Sequence, residues 1–247
     1  MLIGRRAIVT GASRGIGLAL SQKLAQLGCS ITMIARNEDL LYENMNHLDK
    51  SHDQKHRYVS FDLMDFAREK PLEADGCDLL KENLQEATYL VNCAGVATYS
   101  LLAKTPNDVI ANVIGLNLIA PTVLSKMALA PMMKLSRKTK VVPSILNISS
   151  MLSTTGLTVP GTSAYAASKA GLLGLTESLA AELNGKVRVN AALPLLVRET
   201  DMGKGASADM PTVPLETVTE ACAKILMDEK LNGKFVPVDG SGFRCLN

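Results

Sequence analysis

Short runs of β-branched and apolar residues alternate with longer stretches of helical period along nearly the whole sequence, and no other feature restricts the fold as much. A strand that is apolar at consecutive positions must be covered on both faces, which is the condition of a parallel sheet lying between two layers of helices. Strands are predicted at Ala7 to Thr10, Ser30 to Ala35, Arg57 to Phe61, Tyr89 to Asn92, Ile145 to Ser149, Val187 to Leu193 and Phe235 to Val238. Helices are predicted at Ile16 to Leu27, Asp39 to Lys50, Leu79 to Glu86, Val109 to Lys134, Tyr165 to Leu183 and Leu215 to Asp228. The expected class is α/β, a doubly wound seven-stranded parallel sheet with right-handed crossovers. No repeat or Pro/Ser linker interrupts the pattern, so residues 1–247 are read as a single domain.

Composition excludes several functions. Apolar residues make up 47% of the chain and charged ones 20%, an ordinary globular balance. With 26 basic and 24 acidic side chains the formal charge is +2, too small for binding nucleic acid through counterion release. No unbroken apolar run reaches the ~18 residues that cross a bilayer, so a soluble protein is expected. The five cysteines, Cys29, Cys77, Cys93, Cys222 and Cys245, form no C-x-x-C pair, which argues against a disulfide framework or a zinc site. His52 and His56 lie four apart but no third ligand is near, and no metal is expected. Residues 1–37 hold no acid while Arg5, Arg6, Arg14, Lys23 and Arg36 are basic. Such a segment suits either an uncleaved import signal or the surroundings of a phosphate site.

The second reading has a specific carrier. The strand Ala7 to Thr10 runs directly into Gly11-Ala12-Ser13-Arg14-Gly15-Ile16-Gly17 and then into a helix. Gly11 permits the turn, Gly15 lets the backbone approach a pyrophosphate, and Gly17 lets helix and strand pack closely, the signature of a Rossmann fold holding a dinucleotide. Ser13, Arg14 and Ile16 complete the loop. The second strand ends in Arg36-Asn37, where an NAD site would need a carboxylate for the adenosine ribose. Arg36 with Arg14 instead suits a 2′-phosphate, so NADPH is the expected cofactor. Asp62 and Leu63 after the third strand are placed at the adenine. Asn92, Ala94 and Gly95, closing the fourth strand, are placed along the crevice.

A second constellation concerns proton transfer. Tyr165 and Lys169 are one turn apart on a predicted helix, so a phenol and an ammonium share a face. A nearby cation favours phenolate and is expected to lower the phenol pKa toward working pH. Ser149 and Ser150 end the fifth strand at the same sheet edge. The stretch Arg198 to Thr212, rich in Gly and Pro, reads as a mobile loop and a substrate lid.

Taken together, TGASRGIG, NCAG, Asn117, Ser149-Ser150, YAASK and VNAALP resemble, in order and over essentially the whole chain, the short-chain dehydrogenase/reductases. The resemblance implies that Ser150 orients and polarises a substrate carbonyl and that Tyr165 donates the proton. It implies that Lys169 lowers the tyrosine pKa and binds the nicotinamide ribose, Asn117 holds a relay water, and Pro194 and Val197 lie at the nicotinamide. Within the family, the MLIGRRAIVTGASRGIG opening and GKFVPVDGSG ending look most like 3-oxoacyl-[acyl-carrier-protein] reductases, particularly the fungal mitochondrial type. That likeness implies NADPH-dependent reduction of a 3-oxoacyl thioester in fatty acid biosynthesis, a homotetramer, a mitochondrial matrix or cytoplasmic location, and acyl carrier protein as partner. Lys134, Arg137, Lys138, Lys140 and Lys186 form a candidate basic patch for that acidic partner beside the site's mouth, or a solvated helix end. A reductase of quinones or small ketones and a non-catalytic NADP-binding protein are the alternatives.

Three departures from the family stand out. Ser150 and Tyr165 are 15 apart, two more than usual, which puts a longer loop between Leu152 and Pro160 and leaves Ser149 as a rival to Ser150. Cys93 replaces the second Asn of the usual NNAG. Leu195 stands where Gly is usual, and a leucine does not readily take positive φ.

Overall fold

The computed structural model describes residues 1–68, 77–154, 156–206 and 209–247. Its seven strands are β1 (Arg6–Thr10), β2 (Ser30–Ala35), β3 (Arg57–Ser60), β4 (Tyr89–Asn92), β5 (Ser144–Ile148), β6 (Arg188–Pro194) and β7 (Phe235–Val238). They form one parallel sheet in the order β3-β2-β1-β4-β5-β6-β7. The order reverses at β1, and the carboxyl ends of β1 and β4 open the crevice where such sheets bind ligands.

Alternation along the strands divides the core in two. Ala7 and Val9 of β1, with Ile31 and Met33 of β2, pack against α1 (Gly15–Gln26), α2 (Glu38–Asn46) and α8 (Leu215–Met227) through Leu20, Leu24, Leu41, Val218 and Leu226. Ile8 and Ile34 point the other way, toward α3 (Cys77–Leu84), α5 (Ala120–Thr139) and α6 (Ser163–Leu183), meeting Leu80, Leu124, Met132 and Leu179. The inner strands are covered on both faces, the physical reason they carry runs of apolar residues, while the edge strand β3 buries only Val59.

The helix predicted as continuous from Val109 to Lys134 is built differently. α4 (Asn107–Ile114) passes through a π-helical turn (Gly115–Ile119) before α5 begins, so one extra residue enters the helix at Asn117. Such bulges occur mostly at functional sites because they re-aim one side chain without ending the helix. The stretch Asn107–Thr139 is long and apolar enough to cross a membrane by length and composition, yet Leu124, Ala128 and Met132 of it are buried in the core of this fold. The expected loop from Arg198 to Thr212 contains a short helix, α7 (Asp201–Lys204), capped by the Thr200 hydroxyl accepting from the Gly203 N–H. Of that loop, residues 207 and 208 lie outside the described residues, as does residue 155 of the Leu152 to Pro160 stretch.

Candidate active site

The phosphate loop is shaped by close approach. Gly11 has φ +66, and a Cβ there would stand 2.8 Å from the Ala94 Cα. A Cβ on Gly17 would collide with the Gly11 carbonyl. No larger residue fits either position, so β1, the loop and α1 are held together by the lack of side chains. Arg14 precedes α1 in extended conformation with no side-chain cap, and the first turn of α1 holds no acid, leaving amide N–H groups free toward the crevice. Asn44 of α2 donates to the Ser13 carbonyl at 3.2 Å and steadies the loop.

The loop borders a cleft of about 980 Å³. Gly11, Ser13, Arg14, Gly15, Ile16, Gly17, Arg36, Asp62, Leu63, Ala94 and Gly95 all line it, as the sequence predicts. Arg36 is exposed, and among the described residues no partner is found for its guanidinium. Arg14 is shared: its guanidinium meets the Asp201 carboxylate of α7 at 3.0 Å, with both side chains more than half exposed. Such a pair contributes little stability and exchanges readily for a phosphate. The Asp62 carboxylate also caps the turn that follows it, accepting from the Met64 N–H at 3.0 Å.

Asn92 is a correction. Its side chain turns away from the cleft, donating to the Asn147 Oδ1 at 2.8 Å and to the Ser125 hydroxyl at 3.2 Å, while its own Oδ1 is buried without a partner among the described residues. Strand alternation explains this, since β4 ends with Asn92 facing α5 and hands the crevice to Cys93, Ala94 and Gly95.

Deeper in, a smaller chamber of about 90 Å³ opens from the same cleft and is bounded by Ser150, Tyr165, Lys169, Pro194 and Val197. Ser149 and Ser150 separate cleanly. The Ser149 hydroxyl donates to the Lys169 backbone carbonyl at 2.8 Å, whereas the Ser150 hydroxyl accepts from the Leu152 N–H at 3.2 Å and acts on the Tyr165 phenol. The Lys169 ammonium donates to the Ile148 carbonyl at 2.7 Å and lies 5.8 Å from the Tyr165 ring centroid. Burial dominates the titration of both groups. It pushes the Tyr165 phenol up to about 12 against the opposing bond from Ser150, and the Lys169 ammonium down to about 8. The expected lowering of the phenol by its neighbouring amine is therefore overturned: desolvation outweighs attraction, and the ammonium faces a carbonyl and the ring rather than the phenol oxygen.

Asn117 is fully buried. Its Nδ2 donates to the Val96 carbonyl at 2.9 Å and the Ser168 hydroxyl at 3.0 Å, and its Oδ1 accepts from the Val96 N–H at 2.9 Å. The amide thus clamps the turn after β4 to α6, leaving one lone pair of Oδ1 for the expected relay water.

A family model described as short chain dehydrogenase matches residues 5–211. The chain belongs to the short-chain dehydrogenase family. Curated relatives at similar distance are a carbonyl reductase family member 4 from Danio rerio, 30% identical across 96% of this chain and 98% of its own length. A 3-oxoacyl-[acyl-carrier-protein] reductase from Mus musculus is 31% identical across 94% and 95%. Among solved structures, a short chain dehydrogenase/reductase family protein superposes with a TM-score of 0.83 at 26% identity, covering 97% of each chain. A 3-ketoacyl-(acyl-carrier-protein) reductase from Brucella melitensis complexed with NADH gives 0.85 at 21% identity, covering 98% of this chain and 99% of that one.

Short-chain dehydrogenases bind a nicotinamide cofactor, and the residues present fit one. The glycine loop, kept tight by the missing side chains at Gly11 and Gly17, the free helix amides and Arg36, without a partner among the described residues, form a cradle that fits a dinucleotide. Leu195 causes no strain: it is absent from the positive-φ residues, and its N–H donates to the Val238 carbonyl at 3.1 Å.

The basic patch requires a second correction. Lys134, Arg137 and Lys138 occupy the last turns of α5, Lys140 follows it and Lys186 precedes β6. The α5 helix starts beside Asn117 and runs 20 residues back along the sheet, about 30 Å. Within one chain the patch lies at the amino edge of the strands, far from the chamber. Sequence reading also missed Tyr99, which lines both the cleft and the chamber, as do Thr200 and Met202 of the expected lid. Tyr99 follows β4 in an irregular segment with no periodicity to mark it.

Proposed function

We propose that this short-chain dehydrogenase is an NADPH-dependent 3-oxoacyl-[acyl-carrier-protein] reductase that converts a 3-oxoacyl thioester to the 3-hydroxyacyl thioester. The observation that carries the reading is the placing of Ser150 and Tyr165 together at the inner wall of a small apolar chamber continuous with the dinucleotide cleft. Bound nicotinamide supplies hydride to the carbonyl carbon. The Ser150 hydroxyl donates a hydrogen bond to the carbonyl oxygen and fixes its position, and the Tyr165 hydroxyl gives that oxygen its proton as negative charge gathers there. Even at a pKa of about 12 the phenol is a far stronger acid than the alcohol formed, so the transfer is downhill. Lys169 supplies positive charge near the Tyr165 ring as the phenolate forms, and by the family resemblance it binds the nicotinamide ribose. Asn117 is a positioning residue, holding the turn at Gly95 and the helix that carries Tyr165.

Preference for the 2′-phosphorylated cofactor is supported by Arg36, which follows β2 at the cleft, where an NAD site would carry a carboxylate. The substrate class is supported by curated relatives named 3-oxoacyl-[acyl-carrier-protein] reductase in Mus musculus and Chlamydia muridarum. Acyl carrier protein and a homotetrameric assembly belong to the same proposal. A second reading, reduction of quinones or other carbonyls, is favoured by the relatives named carbonyl reductase family member 4. NADPH oxidation with acetoacetyl thioester, run beside a quinone, separates the two. Turnover of the thioester supports the first, and turnover of the quinone alone replaces it with the second.

A further inference from the structure

We propose that Tyr99 determines substrate length: its ring lines both cleft and chamber and its hydroxyl latches the lid helix α7, so that short 3-oxoacyl groups are preferred over longer ones. This inference rests on the reductase reading and names the substrate class within it.

Two consecutive residues after β4 hold opposite sides of the mouth. The Tyr99 hydroxyl donates to the Met202 carbonyl of α7 at 3.3 Å. The next residue, Ser100, donates its backbone N–H to the Gly161 carbonyl at 2.9 Å, tying in the long Ser150 to Tyr165 connection. Tyr99 is 42% exposed, yet it lines both the cleft and the chamber, so it is open to solvent and to the site at once. That is the position of a gate, since a core residue would be enclosed.

The chamber's other walls are apolar: Met151, Leu152, Leu157, Leu195 and Met210. Its volume is about 90 Å³. On the scale where a cavity of about 150 Å³ holds benzene, this space is smaller than one aromatic ring, and Pro194 and Val197, the residues expected at the nicotinamide, bound it too, so only a short tail finds room. With the reacting carbonyl fixed between Ser150 and Tyr165, a short tail fills the chamber and each further methylene meets the Tyr99 ring. Moving α7 away from the mouth breaks the Tyr99 to Met202 bond, so the latch adds to the wall that the ring itself provides.

The test measures kcat/KM with NADPH for N-acetylcysteamine thioesters of 3-oxobutanoate, 3-oxohexanoate and 3-oxooctanoate. Wild type should fall by roughly tenfold or more from the shortest to the longest, the usual discrimination against an added methylene in a closed apolar pocket. Tyr99→Ala should erase that fall or invert it, each methylene that finds room gaining roughly fourfold. Tyr99→Phe keeps the ring and drops the latch. It should preserve the ranking and raise KM more than it lowers kcat. A wild type indifferent to length, or a Tyr99→Ala variant with the wild-type ranking, overturns the proposal. Failure to turn over any thioester refutes the reductase reading instead. The gate is then read from methyl ketones of the same tail lengths, with the same two outcomes, and from tryptic cleavage at Lys204 of the lid. That cleavage should be at least roughly fivefold faster in Tyr99→Phe, and an unchanged rate overturns the latch whatever the substrate.

Discussion

The Lys169 ammonium hangs from the backbone carbonyl of Ile148, 2.7 Å away, at the end of the strand that also delivers Ser150. This contact aims the charge while burial makes it costly, drawing the Lys169 pKa down from 10.5 to about 8. Because the proposed chemistry needs the charged form, kcat/KM is expected to fall as pH rises through about 8. A flat profile from pH 7 to 10 would separate the ammonium from the reaction.

Stability should move the opposite way. Between about 8 and 10.5 the unfolded chain holds the Lys169 proton that the folded chain has released, so this group favours folding more as pH rises through that window. At neutral pH the buried charge is a cost. Lys169→Met should therefore be nearly inactive yet unfold thermally at or above the wild-type temperature. A drop of more than about 3 °C, roughly 1 kcal/mol for a domain of this size, would show that the ammonium supports the fold.

Arg36 is expected to read the cofactor's 2′-phosphate from an exposed position with no competing partner. Arg36→Asp should lower the ratio of kcat/KM for NADPH over NADH by roughly tenfold to a hundredfold, the loss of a charge-assisted bidentate contact. Steady-state kinetics with both cofactors measure it, and an unchanged ratio removes Arg36 from that role.

Arg188 supplies a stability prediction far from the chamber. Only 2% exposed, it donates to the Leu226 carbonyl at 2.7 Å and the Asp228 carbonyl at 2.8 Å, closing the carboxyl end of α8. Burial lowers its pKa, but the carbonyls it satisfies have no substitute. Arg188→Met should lose about 2–4 kcal/mol in urea unfolding. A loss under about 1 kcal/mol would mean that water replaces the guanidinium.

Mild acid should weaken the fold through His56. Its Nδ1 accepts the Ile31 N–H at 3.1 Å and its Nε2 donates to the Asp49 carbonyl at 2.8 Å, which fixes the neutral form. Burial lowers its pKa from 6.5. Below pH 6.5 the unfolded chain therefore binds a proton that the folded one refuses, and stability falls with pH until the folded pKa is passed. His56→Gln should show a shallower decline in urea midpoint between pH 7 and 5. An identical decline would assign it to other groups.

The strands were legible because burial on both faces leaves runs such as Ser30 to Ala35 and Tyr89 to Asn92 with only one way to pack, and those bounds coincide with β2 and β4. The glycine loop was legible for a steric reason, since Gly11 and Gly17 stand where a Cβ collides. The π turn at Asn117 was not, because Gly115 to Ile119 is as helical in composition as its flanks and only packing against α6 shows the extra residue. Asn92 misled because its place beside the crevice says nothing about which side of β4 its amide takes. The basic cluster at Lys134 to Lys140 misled because charge can be read from sequence while the direction of α5 relative to the chamber cannot.

The account rests on proton donation by Tyr165, and the most direct measurement is NADPH oxidation with acetoacetyl thioester by wild type and Tyr165→Phe, each checked for NADPH binding by fluorescence. Wild-type turnover, with loss of roughly a hundredfold to ten-thousandfold in the variant at unchanged cofactor affinity, is the predicted result. A variant that binds NADPH and reduces the thioester at the wild-type rate would contradict it.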